Sequence, residues 1–152
     1  MEYEIVNGVY RGPEHFEGSL DLQNTQVTDL GNLESVGGFL NLGNTQVTSL
    51  GNLESVGGFL NLYNTSINDL GNNLRRVRGF LDLRNTPIKD LGNLKFMGGD
   101  LCFSNDEIYT WKEYQGLIKA FEQIPYEDLP LYLNDKRTPI RILANQKLKD
   151  GV

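Results

Sequence analysis

The chain has 152 residues, 39% of them hydrophobic and 22% charged, with a net charge of −6. That length and balance suit a single domain (1–152) with one core, and the acidity argues against general nucleic-acid binding, which needs a dominant basic footprint. One cysteine, Cys102, and one histidine, His15, exclude an internal disulfide framework and a multi-cysteine zinc site, so no metal or cofactor is expected.

The first stretch, 1–18, has no positively charged flank and no apolar run of signal-peptide length. No segment of the chain approaches the ~18 continuous apolar residues of a membrane span, so a cytoplasmic location (bacterial, or in a virus-infected host cell) and no membrane partner are the expectation. Glu4-Ile5-Val6-Asn7-Gly8-Val9-Tyr10 predicts a hairpin on an Asn-Gly turn, placed to cap the segment after it.

From there leucines recur at twenty-residue spacing: Leu20, Leu40, Leu60, then Leu81 after one inserted residue, and Leu101 in a decaying copy. Asn24–Leu42 and Asn44–Leu62 agree at 18 of 19 positions, Asp29 against Ser49 being the exception. A period of this size predicts a solenoid, and it decides architecture before any local signal. Within one unit, Leu40 and Leu42 flank Asn41 with the two-residue period of a strand. Val47, Leu50, Leu53 and Val56 then recur every third residue, which predicts tight turns or a short 3₁₀ segment. Gly57-Gly58 bends the chain back into the next strand. Each unit is thus one coil whose strand pairs in parallel with its neighbours, and whose stability comes from stacking. A threonine column (Thr25, Thr45, Thr65, Thr86) sits beside an asparagine column (Asn24, Asn44, Asn64, Asn85, Asn105). Both predict hydrogen bonds within the turn that leaves the strand.

Toward the end, Leu101 and Phe103 keep the strand and Ile108 takes the valine position. Trp111, Tyr114, Leu117, Ile118 and Phe121 fit a helix with Thr110 as its N-cap. A second helix is predicted after Thr138-Pro139, with Ile140, Leu143 and Leu148 apolar. Together these are expected to form a lid over the last coil, the alternative being a separate partner-binding tail.

Gly37-Gly38-Phe39-Leu40-Asn41-Leu42-Gly43-Asn44-Thr45-Gln46-Val47 resembles the L-x-x-L-x-L-x-x-N-x-L stretch of the leucine-rich repeat family. Gly37 replaces the first leucine, and Thr45 stands where asparagine or cysteine is usual. The resemblance covers roughly residues 16–110. It implies an α/β leucine-rich-repeat solenoid of about five coils (19–109), with a parallel sheet on one face and irregular or 3₁₀ return segments. An N-terminal hairpin cap (1–18) and a helical C-terminal cap (110–152) complete that expectation. The family usually binds proteins on its concave strand face.

If Leu40 and Leu42 point inward, three columns point outward. They are Ser19, Phe39, Phe59, Phe80, Asp100; then Asp21, Asn41, Asn61, Asp82, Cys102; then Gln23, Gly43, Tyr63, Arg84, Ser104. Three stacked phenylalanines make an aromatic ladder, and with Tyr63 beside them they also have the composition of a protein hot spot. Phe39, Phe59, Phe80, Tyr63, Asp82 and Arg84 are therefore the candidate partner-binding residues. Between the first two units two of the three differences, Asp21 against Asn41 and Gln23 against Gly43, fall on this outward face.

Charge is unevenly spread. Up to residue 70 there are nine acids (Glu2, Glu4, Glu14, Glu17, Asp21, Asp29, Glu34, Glu54, Asp69) against Arg11. Residues 71–104 carry Arg75, Arg76, Arg78, Arg84, Lys89 and Lys95 against Asp82, Asp90 and Asp100. A solvated surface and a docking patch both accommodate this. For catalysis the signals are poor: Cys102 and His15 lie at opposite ends of the stack, and Glu34 and Glu54 occupy the same return position in successive coils. The expectation is a non-enzymatic protein-binding module. The alternative is an assembly protein, a homo-oligomer associating through Tyr126–Leu133 and Thr138–Leu148.

Overall fold

Asn7 and Gly8, both at positive φ (51° and 81°), turn strand β1 (Glu4–Val6) back onto β2 (Val9–Arg11) in the antiparallel register Val6↔Val9. The hairpin then joins the coils: the Tyr10 amide donates to the Asp29 carbonyl and the Thr28 amide to that of Gly8. Past it, two-residue strands alternate between two parallel sheets. In chain order they are β3 (His15–Phe16), β4 (Leu20–Asp21), β5 (Ser35–Val36), β6 (Leu40–Asn41), β7 (Ser55–Val56), β8 (Leu60–Asn61), β9 (Arg76–Val77), β10 (Leu81–Asp82), β11 (Phe96–Met97) and the longer β12 (Leu101–Ser104). The even-numbered strands form one sheet and the odd-numbered ones the other, both with in-register pairing. This computed structural model, which describes residues 2–151, is a parallel-strand β-solenoid of about four turns accompanied by three helices.

Each coil has corners built from the same chemistry. Asn24, Asn44, Asn64 and Asn85 adopt φ between 56° and 62°, the left-handed region that asparagine tolerates better than most residues. The following threonine hydroxyl donates back to the carbonyl three residues earlier, as Thr45 does to Leu42 at 2.7 Å. At the next corner Gly31, Gly51, Gly71 and Gly92 are also left-handed, each amide donating to an oxygen two residues before it. Asp29 and Ser49 are those acceptors in the first two coils, so the one difference between the near-identical units preserves the turn.

The return segments depart from expectation. No 3₁₀ helix occurs in them; they carry the second sheet, with Phe16, Val36, Val56, Val77 and Met97 stacked inward and buried. The three-residue spacing of Val47, Leu50, Leu53 and Val56 arises because the chain changes direction at Gly51 between buried positions. Close approach is why glycine follows this strand: a Cβ on Gly57 would lie 2.0 Å from the Gly37 carbonyl oxygen. One parallel sheet on one face is therefore corrected to two sheets that share the core. The α/β label gives way too, because the helices follow the strands and do not alternate with them. The second sheet also starts earlier than the 1–18 boundary, with β3.

Leu101 and Phe103 are buried in β12, as read from the sequence, but Ile108 is not in the valine position. It lies on β13 (Glu107–Tyr109), which turns at Asn105-Asp106 and runs antiparallel to β12, leaving Ile108 51% exposed. Helix α1 (Trp111–Glu122) begins at Thr110, whose hydroxyl accepts from the Glu113 amide while the Glu113 carboxylate accepts from the Thr110 amide. A 3₁₀ segment (Tyr126–Tyr132) leads to α2 (Thr138–Asp150), whose first residue is anchored twice to the Glu107 carboxylate. Tyr114, Phe121, Ile140 and Leu143 join the buried cluster, with Leu148 partly buried against it. Among the described residues, no helix is long and apolar enough to cross a membrane.

Candidate functional site

The even-numbered sheet presents the predicted columns outward. Phe39, Phe59 and Phe80 stack with centroid separations of 4.6 and 4.7 Å and ring planes within 5° of parallel, because parallel register places equivalent side chains one strand apart. Phe39 and Phe59 are half-buried by the stack, while Phe80 ends it 41% exposed. The adjoining column is tied by amides: the Asn61 Nδ2 donates to Asn41 Oδ1 and the Asn41 Nδ2 to Gln23 Oε1. Asp21, Asn41, Asn61 and Asp82 each also accept the amide two residues on, which turns the chain out of the strand.

At the C-terminal end of this face the column switches from asparagine to Asp82, which is buried. Arg84 grips it with two side-chain bonds, Nε to Oδ1 at 2.9 Å and Nη2 to Oδ2 at 2.7 Å, and gives a third from Nη1 to Asn105 Oδ1. The paired carboxylate raises the Arg84 guanidinium further above its usual range. The same guanidinium lies 5.3 Å from the centre of the Tyr63 ring. All six candidate residues thus share one sheet face, but Asp82 and Arg84 satisfy each other and leave the rings as the contact chemistry. A shallow opening of about 370 Å³ lies at this end, lined by Phe80, Asp82, Arg84, Asp100, Cys102, Asn105 and Ile108. Burial, with Asp82 and Asp100 nearby, raises the Cys102 thiol, which disfavours the thiolate there. The C-terminal helices sit elsewhere: Asn145, Gln146 and Lys149 of α2 bond Lys89 and Asp90, and α1 lines a hollow of about 410 Å³ together with Leu91 and Leu94.

The outward face of the odd-numbered sheet was not readable as a face from the sequence, because two successive residues, such as Glu34 and Ser35, point outward before the single buried one and leave no alternation. Its columns are Glu14, Glu34, Glu54, Arg75, Lys95 and His15, Ser35, Ser55, Arg76, Phe96. His15 Nδ1 and Ser35 Oγ are 2.8 Å apart, a contact that the repeat period of twenty would have revealed. The ligand atoms of Glu14, His15 and Glu34 all lie within 4.8 Å of one another, the group that could hold a metal ion among the described residues. Partial desolvation and the Glu14 and Glu54 carboxylates raise the Glu34 carboxyl. Beyond them Arg75, Arg76 and Arg78 border a hollow of about 490 Å³ floored by Gly37, Gly57 and the intervening strands. Among the described residues none of these three arginines has an ion-pair partner, and Arg76 rests over the Phe96 ring. The chain matches no known family model, no curated protein and no solved structure.

Proposed function

We propose that the chain is a non-enzymatic binding module of the leucine-rich-repeat kind, engaging a protein partner through the phenylalanine face. The observation that carries this reading is the in-register stack of Phe39, Phe59 and Phe80, open at Phe80 and flanked by the Tyr63–Arg84 contact. A rigid aromatic row at low entropic cost, with arginine and tyrosine beside it, has the composition of an interface hot spot. In support of a non-enzymatic role, the Ser35 and Gly37 amides already donate to the Glu14 and Phe16 carbonyls. They are therefore not available as oxyanion donors beside the His15–Ser35 pair. We read five coils, with the β1–β2 hairpin and the helical segment as caps, since Tyr10 at one end and Tyr114 and Phe121 at the other are buried against the stack. A cytoplasmic setting fits the single free thiol.

The test is affinity purification with three chains: wild type, Phe80→Ser and, as control, Phe96→Ser on the other sheet. At least one protein, confirmed with purified components, should be retained by wild type and by the control yet fall at least tenfold with Phe80→Ser. Identical partner sets for all three folded chains would refute the reading. A second reading, self-association through the C-terminal segment, is favoured by one observation: Leu131 is 77% exposed, beside exposed Tyr126 and Leu133.

A further inference from the structure

The outward face of the odd-numbered sheet is bipolar. Its first column is a backbone ladder, each amide donating to the carbonyl of the coil before it, from Glu34 on Glu14 to Lys95 on Arg75. Three carboxylates are followed by two cations in one straight line, and the arginines have no acidic partner among the described residues. A uniformly acidic or basic partner would be repelled by half of this face. A partner with the same line of charges in reverse matches four of its five members and leaves only Glu14 beyond the overlap, and a second copy of the chain is such a partner.

We infer that this sheet is the interface of a two-fold dimer, in which a second copy lies face to face with its solenoid axis reversed. A two-fold axis parallel to the strands, passing between β7 and β9, keeps column over column and reverses strand order. It sets Glu54 against the partner copy's Arg75, and Glu34 against its Lys95. In the neighbouring column Arg78 meets Gly57, which has no side chain, in a hollow bordered by Glu54 and by Arg75, Arg76 and Arg78, whose like charges limit the affinity. A two-fold axis along the stack would instead oppose carboxylate to carboxylate. The footprint is small: β3 overhangs, and the four opposed strands at ~4.8 Å by four residues at ~3.3 Å give roughly 250 Å² per copy, about a third of a standard interface. The dimer is therefore weak, reversible and carried by charge, and it leaves both phenylalanine faces open.

Sedimentation velocity over a concentration series tests this in about 20 mM and about 500 mM salt. Wild type should dimerise in low salt and dissociate in high salt. A chain with Glu34→Lys and Glu54→Lys, and a second with Arg75→Glu and Lys95→Glu, should each lose self-association at least tenfold. Mixed in equal amounts they should restore a heterodimer, which also shows that both are folded. A wild type that stays monomeric overturns the inference, as does a mixture that forms no heterodimer. So does a dimer that persists in high salt and is lost with Leu131→Ser, which would assign association to the C-terminal segment.

Discussion

The two sheets of this solenoid obey one geometry and yet carry opposite kinds of surface. Both stack equivalent residues in parallel register, and both bury their inward columns, leucine in one and, between Phe16 and Met97, valine in the other. Outward, the even-numbered sheet repeats groups that attract their own copies, phenylalanine on phenylalanine and asparagine on asparagine. The odd-numbered sheet repeats groups that repel theirs, glutamate on glutamate, until the sign changes at Arg75. Exact repetition is thus stabilising only where the side chain is its own partner. An amide can donate to the next amide, whereas a carboxylate cannot accept from another unless one is protonated. The face that repeats well is closed to itself, and the face that repeats badly is left needing a counter-charge.

The inward columns set the scale against which this contrast is measured. Leu62, fully buried in a central coil, should cost about 2–5 kcal/mol as Leu62→Ala, because rigid neighbours above and below prevent the cavity from collapsing. Chemical denaturation reads this directly, and a loss under about 1 kcal/mol would mean that the coils are not rigidly stacked. A smaller effect tests the outward columns. Asn61→Asp keeps an acceptor for the Tyr63 amide but removes the donor to Asn41 and sets a second carboxylate beside Asp82. The expected loss at neutral pH is about 1–3 kcal/mol, recovering in part as acid neutralises the new carboxyl. If the variant is as stable as wild type, self-complementary pairing is not what orders this face.

Much of this architecture was legible because repetition amplifies weak signals. The alternation of Leu40, Asn41 and Leu42 located one sheet and its outward columns, and the rings of Phe39, Phe59 and Phe80 stack as that placement required. Thr110 was legible as an N-cap because it stands immediately before the apolar helical pattern, while its reciprocal bonds with Glu113 emerged only in the structure. The second sheet was hidden because each of its strands buries one residue only: Val36 stands between Ser35 and Gly37, whereas Leu40 and Leu42 are both buried around Asn41 and show an alternation. Its three-residue apolar spacing mimicked a 3₁₀ turn, since left-handed corners and helical turns both return a side chain to the core at short intervals. Ile108 was misplaced by continuing the repeat pattern past Asn105-Asp106, where the chain reverses onto β12. The Asp82–Arg84 pair was correctly placed on the face, but sequence position alone does not reveal that the two satisfy each other.

Glu34 offers the finest test of the contrast between the faces. Its carboxyl is raised above the ordinary value of 4.5, so the native chain holds its proton to higher pH than the unfolded chain does. A group with a raised native pKa contributes stability that is present below the unfolded value and lost as pH rises through the native one. Ionised Glu34 is therefore a small liability at neutral pH. Glu34→Gln removes the charge while keeping a group that can donate to Glu14, so the monomer, held dilute in high salt, should melt slightly higher at neutral pH. Below the ordinary carboxyl range the two chains should melt together. In concentrated, low-salt solution the same substitution should weaken dimerisation, because it deletes the charge that meets the partner copy's Lys95. Opposite signs from one substitution distinguish a carboxylate that is frustrated within its own coil stack from one that is simply solvated, for which both differences would vanish.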